Sequence, residues 1–243
     1  MTNLSVNLNK VALLRNSRNF GIPSVIEAAS TCIQAGAQGI TVHPRPDQRH
    51  IKPEDVYELA QILSVEFNIE GNPSPQFLEI IREVKPTQCT LVPDAPDAFT
   101  SDHGWDLAAN GSWLRPIIQE LKDLGVRVSL FMDADLIQIE RAKEIGADRI
   151  ELYTEPYATA FRNGDVEPVF QQYQKAAQKA QEIGLGVNAG HDLNLQNLEK
   201  FCSIPGILEV SIGHALIADA LDVGLFNAVQ EYLRVLGGSI PNV

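Results

Sequence analysis

The feature that most constrains the fold of this chain is the alternation of short apolar runs with longer segments of helical periodicity. Eight of the runs have the length and composition of buried strands. They are Ser5–Asn9, Gly39–His43, Phe67–Glu70, Gln88–Val92, Val126–Phe131, Arg149–Tyr153, Leu185–Ala189 and Leu208–Ile212. Strands that alternate with helices form parallel β–α–β units. Eight units predict a closed (β/α)8 TIM barrel of parallel strands, as one domain over residues 1–243, with an open doubly wound sheet as the alternative.

The segments between these runs carry the marks of helices. Apolar residues recur at helical spacing, for example at Val56, Leu59 and Leu63. A glycine then follows the helical pattern directly before the next run, at Gly36, Gly125, Gly146 and Gly184. Glycine just past a helix end is typical of a left-handed C-terminal cap. The least regular stretches are residues 93–111 and 153–168, where we expect functional loops.

Composition narrows the partners that such a barrel could have. The chain has 19 Lys and Arg against 31 Asp and Glu, a formal net charge of −12. An acidic chain is a poor partner for nucleic acid or an anionic membrane, so we expect neither. The cysteines are far apart and form no CxxC pair, which favours a reducing compartment. With neither a signal peptide nor a long apolar segment in the sequence, we expect a soluble cytoplasmic protein.

Polar side chains collect where the predicted strands end, the face on which barrels of this class carry their active sites. Four of the five histidines lie at or just beyond these ends: His43, His50, His191 and His214. Glu70 and Glu151 each lie within or at the end of an apolar strand, which makes them candidates for general acid and base catalysis. Structural carboxylates paired with arginine remain the other interpretation.

Two features of the sequence favour phosphate. The first is a cluster of cations in the first two strand-end loops: Lys10, Arg15, Arg18, Arg45 and Arg49. Arginine binds phosphate oxygens in a bidentate manner, and two prolines order the loop that holds Arg45. The second is the Gly213-His214 pair, where the last strand meets the last predicted helix and free N–H groups favour an anion.

Several long motifs are highly specific. Residues 6–18 read VNLNKVALLRNSR, residues 39–51 read GITVHPRPDQRHI, residues 188–191 read NAGH and residues 212–215 read IGHA. Together they resemble the pyridoxine 5′-phosphate synthase family, in the right order over nearly the whole chain. The resemblance implies a barrel enzyme without a cofactor or a metal. It implies condensation of 3-amino-2-oxopropyl phosphate with 1-deoxy-D-xylulose 5-phosphate to pyridoxine 5′-phosphate, phosphate and water, by a homo-octamer.

The resemblance also implies a role for each matched residue. It makes His43 and Glu70 proton acceptors, His191 a proton donor and Glu151 the carboxylate that stabilises the transition state. Positions that hold the amino-ketone phosphate are Asn7, Arg18, Gly213 and His214, and positions that hold the pentulose phosphate are Arg45, His50 and Thr100.

The chain departs from the family pattern at two places. Many members have Asp-His where this chain has Asn9-Lys10, a pair that contacts the pentulose, so a carboxylate is lost and a permanent cation is gained. Many members have Gly where this chain has Asp192, a position that gives a main-chain contact to phosphate. Both departures are interpreted as variation within the family.

Two other functions fit parts of the sequence. His43, Glu70 and His191 could instead ligate a divalent ion in a metal-dependent sugar-phosphate epimerase or isomerase on the same fold. A non-catalytic protein that binds a B6 phosphate is the second alternative, although binding alone would not require all three side chains.

Overall fold

The computed structural model describes residues 1–18, 20–95, 98 and 100–237. Its eight strands are β1 (Asn3–Asn7), β2 (Gly39–Val42), β3 (Glu66–Gly71), β4 (Gln88–Leu91), β5 (Arg127–Met132), β6 (Arg149–Tyr153), β7 (Gly186–Gly190) and β8 (Ile207–Ile212). They pair in sequence order, all parallel, into one closed barrel. Val6 closes it by pairing with Ile40 on one side and Ile212 on the other. The (β/α)8 prediction is confirmed, and the open sheet is excluded.

The helices of the described residues surround this barrel. They are α1 (Asn9–Asn16), α2 (Val25–Gln34), α3 (Pro53–Ile62), α4 (Pro75–Val84), α5 (Leu107–Asp123), α6 (Leu136–Glu144), α7 (Glu155–Asn163), α8 (Glu167–Glu182), α9 (Leu198–Cys202), α10 (His214–Val223) and α11 (Leu225–Val235). None of these is both long and apolar enough to cross a membrane. The final residues of the predicted domain, 238–243, lie outside the described residues.

Glycines end the helices as predicted. Gly36, Gly125, Gly146 and Gly184 have φ values of 104°, 83°, 100° and 76°, which side chains with a Cβ rarely adopt. Each turns the chain back into the barrel within a few residues of the helix end. At the other end of a helix, the Ser74 hydroxyl accepts the Phe77 N–H at 3.3 Å and caps α4. Local capping chemistry therefore sets the spacing of the β–α units.

Two boundaries differ from prediction for identifiable reasons. β1 ends at Asn7 rather than Asn9, because the Asn7 side chain accepts the Asn9 N–H at 3.0 Å and turns the chain into α1. The stretch 153–168 is not irregular, since it contains α7, which Pro156 helps to start. The start of β1 also lies two residues earlier than predicted, at Asn3, and the boundaries of the other seven strands agree with prediction to within one residue.

The barrel interior is polar near its middle, whereas the apolar core lies between strands and helices. Ser5 and Thr41 share a hydrogen bond of 2.7 Å, and Thr90 donates to Asn68 at 3.0 Å. All four side chains are almost fully buried. Since buried polar groups must be hydrogen-bonded, these pairs fix the interior side chains in one arrangement. The interior therefore forms an ordered polar layer beneath the strand ends.

Candidate active site

The strand ends bring the predicted proton-transfer residues to one end of the barrel. Glu70 lies on β3 and Glu151 on β6, while His43 and His191 directly follow β2 and β7. Their charges act on one another: His191 lowers the pKa of His43, and Glu151 raises that of Glu70. Such mutual influence requires short separations, because water screens charges that lie far apart. The structure thus groups all four into one candidate site.

Two of the imidazoles are held neutral. Burial, reinforced by the charge of Arg45, lowers the pKa of His43 well below its ordinary value. Burial and the charges of Arg45 and Arg49 lower the pKa of His50 to about 4. His50 Nδ1 accepts the Ile51 N–H at 2.9 Å, so its neutral ring carries the proton on Nε2. His43 is therefore able to accept a proton near neutral pH, and His50 is able to donate a hydrogen bond.

The two carboxyls are shifted in the opposite direction. Burial, followed by the charges of Glu151 and Asp94, raises the pKa of Glu70 well above its ordinary value. Burial also raises the pKa of Glu151 to about 7, although the charge of His191 and the nearby Thr90 side chain oppose the shift. One Glu151 oxygen, Oε2, is buried without a hydrogen-bond partner among the described residues. Carboxyls in this state can exchange protons near neutral pH, as general acid and base catalysis requires.

His191 lies in an unusual turn. Its φ is 86°, and that of Asp192 is 57°, so two successive residues with a Cβ adopt the left-handed region. The His191 ring stands edge-on to Phe131 and Tyr153, with ring centroids 5.9 and 5.3 Å away. These aromatic contacts and the turn fix the imidazole in a position from which its charge acts on Glu151.

Asp192 faces His191 rather than standing alone. Its Oδ2 lies 4.0 Å from His191 Nδ1, and this interaction is the main cause that lowers the pKa of Asp192. The side chain is 38% exposed. At this position the chain places a carboxylate beside the imidazole of His191.

Arg45 is held by the loop that follows β4. Its guanidinium donates to Asp94 Oδ2 at 2.5 Å and to the Ala98 carbonyl at 3.0 Å. Ser101 donates to the same Asp94 oxygen at 2.6 Å. Thr100 lies in this loop with an exposed side chain. A cavity of about 430 Å³ adjoins the group and is lined in part by His43, Arg45 and Asp94.

The residues after β1 contact the same end of the barrel. The Asn9 side chain accepts the His43 N–H at 2.9 Å, so it fixes the backbone that carries this imidazole. Lys10 is exposed, and its charge is one of those that lower the pKa of His50. The structure therefore places Lys10 on the His50 side of the site, where the Asn9-Lys10 departure from the family pattern was expected to matter.

Gly213 and His214 begin α10 beside β1. A Cβ on Gly213 would lie 3.1 Å from Asn7 Cβ, so the position has little room for a side chain. Its φ of −119° is open to any residue. The helix starts at His214, one residue before the predicted Ala215, and no side chain caps it. Its first N–H groups are thus free to bind an anion next to Asn7.

Arg18 does not share this position. It is exposed and lines a separate cavity of about 420 Å³ together with three other basic side chains, Arg15, Arg49 and Lys52. Arg15 is paired with Asp55, and Arg49 with Asp47. The structure thus places Arg18 in a basic cavity of its own on the outer surface, beside the first two loops.

Sequence reasoning missed three buried residues at or below the site. Asp94 holds Arg45, Thr154 contacts the His191 turn, and Glu209 accepts a hydrogen bond from Asn188 at 3.1 Å. Glu209 carried a signal, since a charged residue in the middle of the apolar run of β8 must face a partner. Asp94 and Thr154 carried none, because their partners lie far away in the sequence.

Metal binding finds no support in the geometry. Across residues 1–18, 20–95, 98 and 100–237, no three His, Cys, Asp or Glu side chains converge closely enough to hold an ion. His43, Glu70 and His191 are therefore near one another without the spacing of a ligand set.

Comparison with known proteins agrees with this geometry. The profile of the family described as "Pyridoxal phosphate biosynthesis protein PdxJ" matches residues 4–238. A relative from Albidiferax ferrireducens, named pyridoxine 5′-phosphate synthase, is 53% identical over 245 residues, covering 97% of each chain. A relative of the same name from Porphyromonas gingivalis is 53% identical over 233 residues, covering 96% of this chain and 98% of its own.

Solved structures that resemble the fold are more distant in sequence. One titled "Native KDPGal structure" has a TM-score of 0.62 at 12% identity, covering 96% of this chain and 94% of its own. A phosphoribosylanthranilate isomerase from Thermotoga maritima has a TM-score of 0.59 at 13% identity, covering 98% of this chain and 100% of its own. These similarities show the barrel fold alone.

Proposed function

The chain belongs to the pyridoxal phosphate biosynthesis protein PdxJ family, and on this premise we propose that it condenses 3-amino-2-oxopropyl phosphate with 1-deoxy-D-xylulose 5-phosphate. The products are pyridoxine 5′-phosphate, inorganic phosphate and water. The observation that carries the proposal is a set of proton-transfer groups with shifted pKa values at one end of the barrel. The pKa of Glu151 is raised to about 7, and that of His43 is lowered, so its imidazole is uncharged. The reaction joins an amine to a ketone and loses water and phosphate, so it needs repeated proton transfers.

The roles follow from the protonation states. His43 is neutral and buried, so it accepts a proton from the attacking amine or from carbon. Glu70 has a raised pKa, so it passes a proton to a departing oxygen and takes one back at a later step. His191, beside the carboxylate of Asp192, donates a proton to a leaving group. Glu151, with one unpartnered oxygen, stabilises developing positive charge on the condensing nitrogen.

The two phosphates occupy different ends of the site in this proposal. Asn7, Gly213 and His214 bind the phosphate of the amino-ketone, at the uncapped start of α10. Arg45, His50 and Thr100 bind the phosphate of the pentulose, with Asn9 and Lys10 contributing around them, whereas Asp192 lies near His214 at the other subsite. Arg45 must exchange Asp94 for a phosphate oxygen when substrate enters, since both compete for the same guanidinium.

The assembly and location are part of the same proposal. We expect a homo-octamer without a resident metal or cofactor, working on small phosphorylated molecules in the cytoplasm. Exposed apolar side chains near Arg18 support subunit contacts there: Leu14 is 52% exposed, Phe20 73% and Ile22 69%. Free cysteines at positions 32, 89 and 202 suit a reducing compartment. Light scattering of the purified protein measures the mass of the assembly.

The test is a direct assay of product formation. Purified protein is incubated with both substrates, and pyridoxine 5′-phosphate and inorganic phosphate are measured separately. We expect both products in equal amounts, no activity with either substrate alone, and unchanged activity after treatment with a chelator. Inactivity with both substrates, or activity that depends on a divalent ion, would contradict the proposal and favour the sugar-phosphate epimerase or isomerase.

A further inference from the structure

Thr154 combines two features that its place in the fold does not explain. It directly follows β6 and stands at the N-terminal cap of α7, yet its side chain makes no capping hydrogen bond. Threonine at such a position ordinarily caps the helix with its hydroxyl. Here the side chain is fully buried and its hydroxyl turns away from α7 toward the end of β7.

The hydroxyl of Thr154 meets the backbone that carries His191. Oγ1 lies 2.8 Å from the Gly190 carbonyl oxygen and also contacts the His191 carbonyl oxygen. The Thr154 N–H donates to the same Gly190 carbonyl at 2.9 Å. One residue therefore holds both carbonyls that bracket the point where the chain enters the left-handed region.

That turn needs holding, because left-handed backbone is unfavourable for residues with a Cβ. His191 and Asp192 both adopt it, with φ values of 86° and 57°. On the far side of the turn, the buried Asn197 side chain donates to the Asp192 carbonyl at 3.1 Å. Thr154 and Asn197 thus hydrogen-bond to the backbone at the two ends of the turn. The His191 ring, which the turn carries, packs against Phe131 and Tyr153.

From this geometry we infer that Thr154 is a positioning residue for His191, which acts by holding the strained turn that carries the imidazole. The expected effect on kcat rests on the proposed function, whereas the effect of Thr154 on the position of His191 does not. Thr154 lies three residues after Glu151 on the same stretch of chain. A movement of β6 would therefore displace Glu151 directly and His191 through Thr154.

The test compares three substitutions at one position. Thr154→Val keeps the shape and removes the hydroxyl, Thr154→Ala removes it without placing a methyl group against the carbonyls, and Thr154→Ser keeps it. We expect kcat to fall roughly 10- to 100-fold in the first two, the cost of a small misplacement, with KM for both substrates within about threefold. Thr154→Ser should retain most of the activity.

Thr159→Val is the matched control. It makes the same exchange on α7, where the Thr159 hydroxyl contacts only the Glu155 and Arg162 side chains of that helix. We expect wild-type kcat. Thermal unfolding of every variant identifies those that are folded at the assay temperature, and only these are compared.

A second readout needs no substrate. The His191 ring resonance is assigned by its absence in His191→Asn, and its position is compared among the variants. We expect it to move in Thr154→Val and Thr154→Ala and to stay in Thr154→Ser and Thr159→Val. If the wild type makes no pyridoxine 5′-phosphate, the proposed function fails, and this spectrum still decides the positioning role.

Three results would overturn the inference. The first is a folded Thr154→Val or Thr154→Ala with kcat within twofold of wild type and an unmoved His191 resonance. The second is an equal loss in Thr154→Ser, which would assign the effect to shape rather than to the hydroxyl. The third is a raised KM with unchanged kcat, which would assign Thr154 to substrate binding.

Discussion

Charged groups are buried at two levels of this barrel, and the two levels treat them differently. Near the strand starts, Arg127 donates to Gln88 at 2.9 Å and is paired with Glu66, while Arg149 donates to Asn188 at 3.1 Å. Near the strand ends, one Glu151 oxygen has no hydrogen-bond partner among the described residues, and the pKa of Glu70 is raised by burial and by the charges of other carboxyls.

The difference shows how to distinguish charged residues that stabilise the fold from charged residues that take part in catalysis in such a barrel interior. Glu209 and Glu151 both have a pKa raised to about 7 by burial, so the shift alone does not distinguish them. Their surroundings do: Glu209 accepts a hydrogen bond from Asn188 and lies near the charge of Arg149, whereas Glu151 has an oxygen without a hydrogen-bond partner among the described residues and lies near His191. Paired charges at the strand starts hold the barrel, and under-paired charges at the strand ends are available to substrate.

The largest expected effect compares one glutamate from each level. Glu70→Gln should leave the fold intact and lower kcat by ~10²-fold or more, the scale of a lost general base. Glu209→Gln is the matched control. It should keep kcat within about threefold, because Glu209 is hydrogen-bonded to Asn188, which also binds Arg149 near the strand starts. Steady-state kinetics on both variants, with thermal unfolding beside them, makes the comparison. Equal losses of kcat would erase the distinction between the levels.

The next effect compares two glycines on β7. Gly190→Ala would place a Cβ 2.3 Å from Glu151 Oε1, so the carboxylate must move, and kcat should fall roughly 10-fold or more. Gly186→Ala, at the strand start, would place a Cβ 2.8 Å from Arg149 Cγ in a flexible side chain. It should cost stability and spare kcat. A Gly186→Ala variant that lost as much kcat, while still folded, would contradict the assignment.

A smaller effect tests Lys10, the exposed cation beside the proposed pentulose subsite. Lys10→Ala should raise the KM for the pentulose phosphate by roughly 3- to 10-fold and leave that for the amino-ketone nearly unchanged, since an exposed charge acts weakly through water. Lys175→Ala, on the outer face of α8, is the control and should change neither constant. Equal increases for both substrates would remove Lys10 from the pentulose subsite.

The smallest effect is on the pH dependence of stability. Glu209 goes from an ordinary pKa of 4.5 to about 7 on folding, so the folded state binds more protons between these values. Its contribution makes the free energy of unfolding fall as pH rises from 4.5 to 7, and level off above. Glu209→Gln should flatten that decline, as measured by chemical unfolding at pH 4.5, 6 and 8. An unchanged slope would show that Glu209 does not titrate in this window.

Sequence predicted the barrel because its determinants are local. Apolar runs, helical spacing and glycines such as Gly125 and Gly146 act within a few residues, and each was confirmed. The end of β1 was misplaced because the Asn7 side chain turns the chain at a point where the apolar pattern continues through Leu8.

The candidate site divides along the same line. Strand-end histidines and carboxylates were identifiable from position alone, and the structure groups His43, Glu70, Glu151 and His191. Their protonation states and the roles of Asp94 and Thr154 were not identifiable. Those depend on pairs such as Arg45 with Asp94, and Thr154 with His191, whose members follow different strands and meet only in the folded chain.

The closure of the barrel between β1 and β8 also bears on how the protein is made. Asn7 and Gly213 lie next to each other although they are separated by almost the whole length of the chain, so the anion site proposed between them has no local precursor. During synthesis, the edge of β1 that pairs with β8 stays unpaired until β8 leaves the ribosome. Ribosome-bound chains that end before β8 should therefore lack the proposed phosphate site, and the proposed affinity for the amino-ketone should arise only as synthesis finishes.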